Sequence, residues 1–229
     1  RIPDLPGFDQ GFFQVQDEAA QMVTRILAPR AGESVLDACA GLGGKSFHMA
    51  QIMNNKGSIL AADTGKQKLS RLEKEAKRLG VTMVTTRQMD ILTASVKETG
   101  TYFDRVLVDA PCSGLGVMRR NPDTKWKRSP KDLARLGARQ KKILNASANL
   151  VRPGGVLVYA VCSCETEENQ DVIKAFLAKR KDFSPDPTPV SCSFVSQILD
   201  SRGFFKTYPQ HPYMDGFFAA RLVRTKQDG

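Results

Sequence analysis

The sequence of 229 residues lacks the features of several specialised protein classes. It has no run of about 18 apolar residues, the length that a membrane-spanning helix needs, and no signal-peptide pattern follows its first residue. The five cysteines are odd in number and form no paired Cys-x-x-Cys groups, which argues against a disulfide framework and a zinc knuckle. The two histidines have no partners at metal-ligand spacing. We therefore expect a cytoplasmic protein without a metal site or a membrane contact.

The length and the first residue of the chain suggest its domain organisation. The chain begins with arginine rather than methionine, so we expect it to be a piece of a longer protein. Its length suffices for one domain with a small appendage. We predict that residues 1–30 are the remnant of a preceding domain plus a lead-in helix, and that residues 31–229 form the main domain, which acts as a monomer.

Positive charge is concentrated in one stretch of the chain. The formal net charge is +10, and residues 117–142 contain ten lysines and arginines against two aspartates, with Trp126 among them. A polyanion is the natural partner of such a stretch, because each neutralised phosphate releases counterions. The alternative is an ordinary solvated, lysine-rich surface. The position of the stretch directly after "DAPCSG" (109–114) favours nucleic acid.

Strand-like and helix-like segments alternate along most of the chain. The predicted strands are 34–40, 57–63, 83–90, 103–111 and 154–162, and two more near the C-terminus can pair as a hairpin. This order predicts an α/β fold with a doubly wound, mostly parallel sheet of seven strands and a C-terminal antiparallel strand. Ligands of such sheets bind at the carboxyl ends of the strands. Five candidate side chains follow strands at that edge: Asp37, Asp63, Asp90, Asp109 and Cys162.

The turn after the first strand, "CAGLGGKS" (39–46), is a candidate cofactor loop. A P-loop would need glycine at position 39, where cysteine stands, and the third glycine of a dinucleotide fingerprint falls on Ser46. S-adenosylmethionine is the third possibility, with Asp63 on the ribose hydroxyls and Asp90 near the adenine. An acid after strand two also suits NAD, so the turn alone separates the two cofactors only in part. A tight turn with helix-capping aspartates is the structural alternative.

Two cysteines, Cys112 and Cys162, follow neighbouring predicted strands and can meet at one edge of the sheet. Two thiols beside a cofactor loop suit methylation of carbon 5 of a pyrimidine, which needs a thiolate to add first to carbon 6. Asp109 can hydrogen-bond the ring nitrogen or the exocyclic amine. An amine methyltransferase would instead carry Pro-Pro-aromatic after strand four. We interpret Cys39 and Cys192 as small buried residues.

Several stretches together resemble the Sun/nucleolar-protein family of RNA cytosine-5 methyltransferases, and most of all its bacterial members that act on 16S ribosomal RNA. The matching stretches are "FQVQDEAAQ" (13–21), "LDACAGLGGKS" (36–46), "DAPCSGLGVMRRNPDTKW" (109–126), "LVYAVCSCETEENQ" (157–170) and "DGFFAARL" (215–222). The resemblance implies a Rossmann-like methyltransferase domain that uses S-adenosylmethionine and releases S-adenosylhomocysteine. The sequence departs from the family pattern at Val161, where threonine is usual, and at Gly41-Leu42, where Ala-Pro is usual.

The resemblance also implies roles for individual residues. The methyl donor would contact Cys39, Ala40, Gly41, Leu42, Gly43, Gly44, Lys45, Asp63, Asp90 and Asp109. Cys162 would be the nucleophile and Cys112 would assist release of the methylated RNA, with Cys164 a possible rival nucleophile. From the basic stretch we predict RNA contacts at Arg119, Arg120, Lys125, Trp126 and Lys127. The rival hypotheses are a DNA cytosine-5 methyltransferase, in which Cys112 would attack, and a non-catalytic RNA-binding module.

Overall fold

One eight-stranded sheet organises the chain in the computed structural model, which describes residues 1–186 and 199–226. The strands run β1 Ser34–Asp37, β2 Ser58–Asp63, β3 Val84–Gln88, β4 Phe103–Asp109, β5 Val151–Val161, β6 Phe183–Pro185, β7 Phe204–Lys206 and β8 Phe218–Arg224. Their order is β3-β2-β1-β4-β5-β8-β6, and β7 also pairs with β8. The first five strands are parallel to one another and β8 is antiparallel to its neighbours. The predicted fold class is confirmed.

The outer edge of β8 is shared by two short strands, so eight strands fill seven positions. β7 pairs with residues 218–220 of β8, and β6 pairs with residues 222–224. β6 ends at Pro185, which has no N–H to continue a ladder, and proline is tolerated at such an edge. β7 and β8 form the predicted C-terminal antiparallel pair. Cys192, which we interpret from the sequence as a small buried residue, lies outside the described residues.

In the described part of the chain, six α-helices connect and cover the strands. They are α1 Glu18–Leu27, α2 Gly44–Ile52, α3 Lys66–Arg78, α4 Val96–Thr99, α5 Pro130–Ala148 and α6 Gln170–Lys179. The start of α5 is fixed by a capping box between Ser129 and Asp132, with Pro130 at the first helical position. Among the residues that the structure describes, no helix combines the length and the apolar character that a bilayer crossing requires.

Both faces of the sheet are buried, as a doubly wound fold requires. Alternate residues of β5 divide between the two cores: Val156, Val158 and Ala160 pack with α1 and α2, whereas Leu157, Tyr159 and Val161 pack with α5 and α6. Helix α1 lies within the predicted N-terminal segment and contributes five core residues to the first of these faces: Ala19, Ala20, Val23, Ile26 and Leu27. The loops that leave the carboxyl ends of the parallel strands are therefore held from both sides.

Candidate active site

Two cysteines meet at the carboxyl edge of the sheet. Asp109 at the end of β4 pairs with Ala160 of β5, so the residues that follow the two strands leave side by side. The Sγ atoms of Cys112 and Cys162 lie 3.2 Å apart, which is hydrogen-bond distance and well beyond a disulfide bond. The predicted convergence of these two thiols is confirmed. The contact between the two thiols is one consequence of the parallel β4–β5 pairing.

The surroundings of the two thiols assign the proton between them. The pKa of Cys162 is lowered by the S–H that Cys112 donates and by the nearby charge of Lys45, against burial and the charge of Asp109. The pKa of Cys112 is raised by the same hydrogen bond, by burial, and by the charges of Cys162 and Glu168. The charge of Lys45 at Cys162 and that of Glu168 at Cys112 thus both favour ionisation of Cys162 over Cys112.

An ion pair borders the two cysteines. The Nζ atom of Lys45 lies 2.6 Å from Oδ2 of Asp109, and the lysine side chain is only 12% exposed. The same ammonium stands 5.4 Å from the centre of the Phe217 ring. Although burial acts to lower it, the pKa of Lys45 is raised, mainly by Asp109. A fixed cation and a fixed anion thus lie beside the ionisable sulfur.

The turn between β1 and α2 forms one wall of a cleft next to this group. Gly43 has φ +89°, and a Cβ there would lie within 2.7 Å of Leu72 and Phe47 side-chain atoms, so only glycine fits. The Gly41 N–H donates to Oδ2 of Asp63 over 3.0 Å. Asp63 is thereby fixed at the end of β2, next to the turn.

The cleft itself has a volume of about 290 Å³ and combines carboxylates with apolar side chains. Of the predicted cofactor residues, Cys39, Asp63 and Asp90 line it, whereas Leu42 is 56% exposed to solvent. The remaining lining includes Thr64, Lys68, Met89, Ile91, Pro111 and Arg139. Pro111 directly precedes Cys112, so the cleft and the cysteine pair share a wall.

Comparison with known proteins agrees with this geometry. A family model described as 16S rRNA methyltransferase RsmB/F matches residues 24–223. The chain belongs to this family. The resemblance to Sun-type enzymes that the sequence motifs suggested is confirmed.

Individual members of the RsmB/F family and solved structures give the extent of the likeness. The probable ribosomal RNA small subunit methyltransferase B of Bacillus subtilis is 46% identical over 179 residues, 78% of this chain and 40% of that protein. Its counterpart in Synechocystis is 38% identical over 97% of this chain and 50% of that protein. The crystal structure of NSun6 from Pyrococcus horikoshii with SFG superposes with a TM-score of 0.87 at 31% identity, covering 99% of this chain and 57% of that one. The chain spans about half the length of the curated relatives it matches.

A third cysteine of this RsmB/F domain, Cys164, does not join the pair. Its Sγ faces the carbonyl oxygen of Thr207 at 3.6 Å, and burial raises its pKa to about 11. The structure therefore gives it neither the partner nor the ionisation that a rival nucleophile would need.

The five predicted RNA contacts separate into two groups. Lys125, Trp126 and Lys127 lie on and beside a short 3-10 helix, Pro122–Trp126, with Trp126 80% exposed and the Lys125 ammonium 4.8 Å from its ring centre. The two arginines are engaged within the protein instead. Arg119 donates to the carbonyls of residues 209, 211 and 212, and Arg120 bridges Asp17 and Asp215 at 2.8 and 2.7 Å.

The position of Glu168 could not be predicted from the sequence. The run Glu165–Glu168 suits an exposed helix N-terminus, but Glu168 is fully buried and accepts hydrogen bonds from Ser113, next to Cys112. No local signal distinguishes it from its exposed neighbour Glu167. Arg139 of α5 is likewise a member of the basic stretch whose place in the cleft lining the sequence does not predict.

Proposed function

We propose that this chain methylates carbon 5 of a cytosine in RNA, with Cys162 as the nucleophile and S-adenosylmethionine as the methyl donor. The observation that carries the proposal is the 3.2 Å contact between the Cys112 and Cys162 sulfurs beside the Lys45–Asp109 ion pair, and this contact acts to lower the pKa of Cys162. The names of the relatives support ribosomal RNA of the small subunit as the substrate. Both cysteines come from one chain, so a monomer suffices, and a ribosomal RNA substrate points to the cytoplasm.

The ion pair beside Cys162 suits the first half of the reaction. Carbon 5 of cytosine is too weak a nucleophile to take a methyl group, so the Cys162 thiolate adds to carbon 6 and pushes electron density onto carbon 5 and the ring. The Lys45 ammonium can stabilise the negative charge that develops on the ring, while the Asp109 carboxylate accepts from the exocyclic amine. This arrangement selects cytosine over uracil, because uracil has a carbonyl where cytosine has that amine.

Cys112 suits the second half of the reaction, in which the proton on carbon 5 is removed. When Cys162 becomes bonded to carbon 6, two of the causes that raise the pKa of Cys112 are lost, its hydrogen bond to Cys162 and the charge of that sulfur, while burial and the charge of Glu168 remain. Loss of those two makes it easier for Cys112 to give its proton to solvent. Its thiolate then takes the proton from carbon 5. The electrons of that C–H bond restore the carbon 5–carbon 6 double bond, and the pair of the broken C–S bond returns to Cys162. At the end of the reaction Cys162 is again a thiolate and Cys112 is again a thiol.

The cleft fits S-adenosylmethionine. That cofactor supplies a positively activated methyl group and leaves as S-adenosylhomocysteine. Asp63 and Asp90 offer carboxylates for hydroxyl or amine groups, and Met89 and Ile91 offer apolar contacts for a base. SFG, the ligand in the crystal structure of NSun6 from Pyrococcus horikoshii, is an analogue of this cofactor.

The exposed group formed by Lys125, Trp126 and Lys127 supports an RNA partner. A base must leave its stack to reach a buried sulfur, and the surrounding strand then needs contacts for phosphates and for unstacked bases. A cation and an aromatic ring side by side provide both. The segment is tied to the active site, since Arg128 donates to the carbonyl of Ser113 over 2.9 Å.

The test is covalent trapping with RNA that contains 5-fluorocytosine, which cannot lose a proton from carbon 5 and therefore stalls the adduct. We expect wild-type protein and Cys112→Ala to form an adduct that survives denaturing gels, and Cys162→Ala to form none. Cys164→Ala is the matched control and should behave as wild type. An adduct on Cys162→Ala but none on Cys112→Ala would favour the DNA-type mechanism, in which Cys112 attacks.

The same preparation separates an enzyme from a binding module. Wild-type protein should transfer labelled methyl groups from S-adenosylmethionine to small-subunit ribosomal RNA, and the label should be lost with Cys162→Ala. RNA binding without any methyl transfer by the wild-type chain would support the non-catalytic alternative.

A further inference from the structure

A buried carboxylate lies directly behind Cys112. Glu168 is 0% exposed, and its Oε1 accepts from the Ser113 N–H and from Nε2 of Gln140, each over 2.9 Å. Its Oε2 accepts from Oγ of Ser113 over 2.5 Å. Within residues 1–186 and 199–226, every side-chain hydrogen bond to this carboxylate comes from a neutral donor.

The Cys112 segment is clamped on both sides of the cysteine. On one side Gln140 of α5 donates to the carbonyl of Pro111 over 3.0 Å, and on the other Glu168 holds both the N–H and the hydroxyl of Ser113. The backbone of Glu168 is itself fixed, because the Tyr159 hydroxyl donates to its carbonyl over 2.6 Å. Cys112 thus has its position set by two elements of the core.

A glutamine could make the same neutral hydrogen bonds, so these bonds alone do not account for a glutamate at this position. An ionised carboxylate that is buried without a cation carries a large desolvation cost, and a glutamine of the same shape would avoid it. The contacts allow that exchange. Oε1 takes both N–H donors, and Oε2 meets only a hydroxyl, which can reverse its direction and accept from an amide instead.

We propose that Glu168 is a positioning residue: it fixes the Cys112 segment through Ser113, and its negative charge keeps the Cys112 sulfur in the S–H form that donates to Cys162. The inference rests on the proposed function for its role in methylation. Among the charges that act on Cys112, that of Glu168 disfavours the thiolate there, whereas Lys45 favours it at Cys162. The charge of Glu168, together with that of Lys45, therefore determines that Cys162 rather than Cys112 is the thiolate that adds to carbon 6.

Glu168→Gln removes this charge and retains all three hydrogen bonds. The measurement is alkylation of the wild-type chain and the variant by iodoacetamide at pH 8, with the modified cysteine identified by mass spectrometry, since iodoacetamide reacts with thiolates. We expect alkylation of Cys162 over Cys112 in the wild type. In Glu168→Gln that ratio should fall several-fold, because the charge that disfavours the Cys112 thiolate is gone. An unchanged ratio in a folded Glu168→Gln would overturn the proposal.

Two controls make the result specific. Glu167→Gln removes a charge from the exposed neighbouring residue and should leave the ratio unchanged. Ser113→Ala removes the hydrogen bonds of the Ser113 hydroxyl, with Glu168, Ser163 and the Leu115 N–H, but retains the carboxylate. Cys162 should therefore stay preferred in this variant, which also tests the proposal if Glu168→Gln does not fold. Loss of the preference in Ser113→Ala would refute the role of charge. The assay needs no RNA, so its failure is distinguishable from failure of the proposed function, which adduct trapping tests.

Discussion

Replacing Asp37 by asparagine is expected to stabilise the protein at neutral pH. Asp37 ends β1 beneath the candidate cofactor turn and is only 1% exposed. Ser46 donates to its Oδ2 over 2.7 Å, whereas its Oδ1 has no hydrogen-bond partner among the described residues. Burial, together with the charge of Asp109 and against the Ser46 hydrogen bond, raises the pKa of Asp37 from 3.8 to about 6.

The magnitude follows from that pKa. A carboxyl group whose pKa in the folded protein lies above its unfolded value stabilises the fold fully below pH 3.8, and this contribution is lost as the pH rises through 6. The loss amounts to about 3 kcal/mol by pH 8. Asparagine stays neutral at every pH, so Asp37→Asn should gain up to about 3 kcal/mol over the wild type at pH 8 and nothing at pH 4.

Urea unfolding at pH 4, 6 and 8 measures this difference. For a protein of this size a gain of about 3 kcal/mol corresponds to a rise of roughly 1 M in the urea midpoint. A midpoint difference that is the same at pH 4 and pH 8 would refute the reasoning, because only ionisation of Asp37 makes it depend on pH. A stabilised variant that binds S-adenosylmethionine more weakly would indicate that the charge is retained for function.

Two further predictions concern a buried histidine and the exposed basic group. Burial and the charge of Arg25 lower the pKa of His48 to about 4, so its contribution to stability, up to about 3 kcal/mol, is present above pH 6.5 and is lost as the pH falls towards 4. His48→Asn should reduce the loss of unfolding free energy between pH 6.5 and pH 4, as measured by urea unfolding. An unchanged loss would exclude His48 as its source. Lys125→Glu with Lys127→Glu should weaken RNA binding and reduce its salt dependence, whereas an unchanged salt slope in filter binding would count against this surface. Arg120→Ala should instead mainly lower stability, because Arg120 holds two largely buried carboxylates.

The parts of the site that the sequence predicts are those set by strand order. Cys112 and Cys162 follow adjacent parallel strands, and Asp63 follows β2, so their meeting at one edge requires only the α/β alternation. The parts that it does not predict depend on partners distant in the chain. Arg120 binds Asp215, 95 residues away, and nothing in the basic stretch distinguishes it from the exposed Lys125.

The chemistry of the site depends on an asymmetry between two identical side chains. Cys112 and Cys162 are both thiols in contact, and neither sequence position nor distance says which one attacks. Lys45 favours a negative sulfur at Cys162, and Glu168 disfavours one at Cys112. Opposite charges on the two sides of a symmetric pair thus create an acid and a nucleophile from the same residue type, as paired carboxyl groups do in other enzymes. In the proposed mechanism, the charge of Cys162 is gone once this sulfur is bonded to the cytosine, and the loss of that charge lets Cys112 act as the base that completes the cycle.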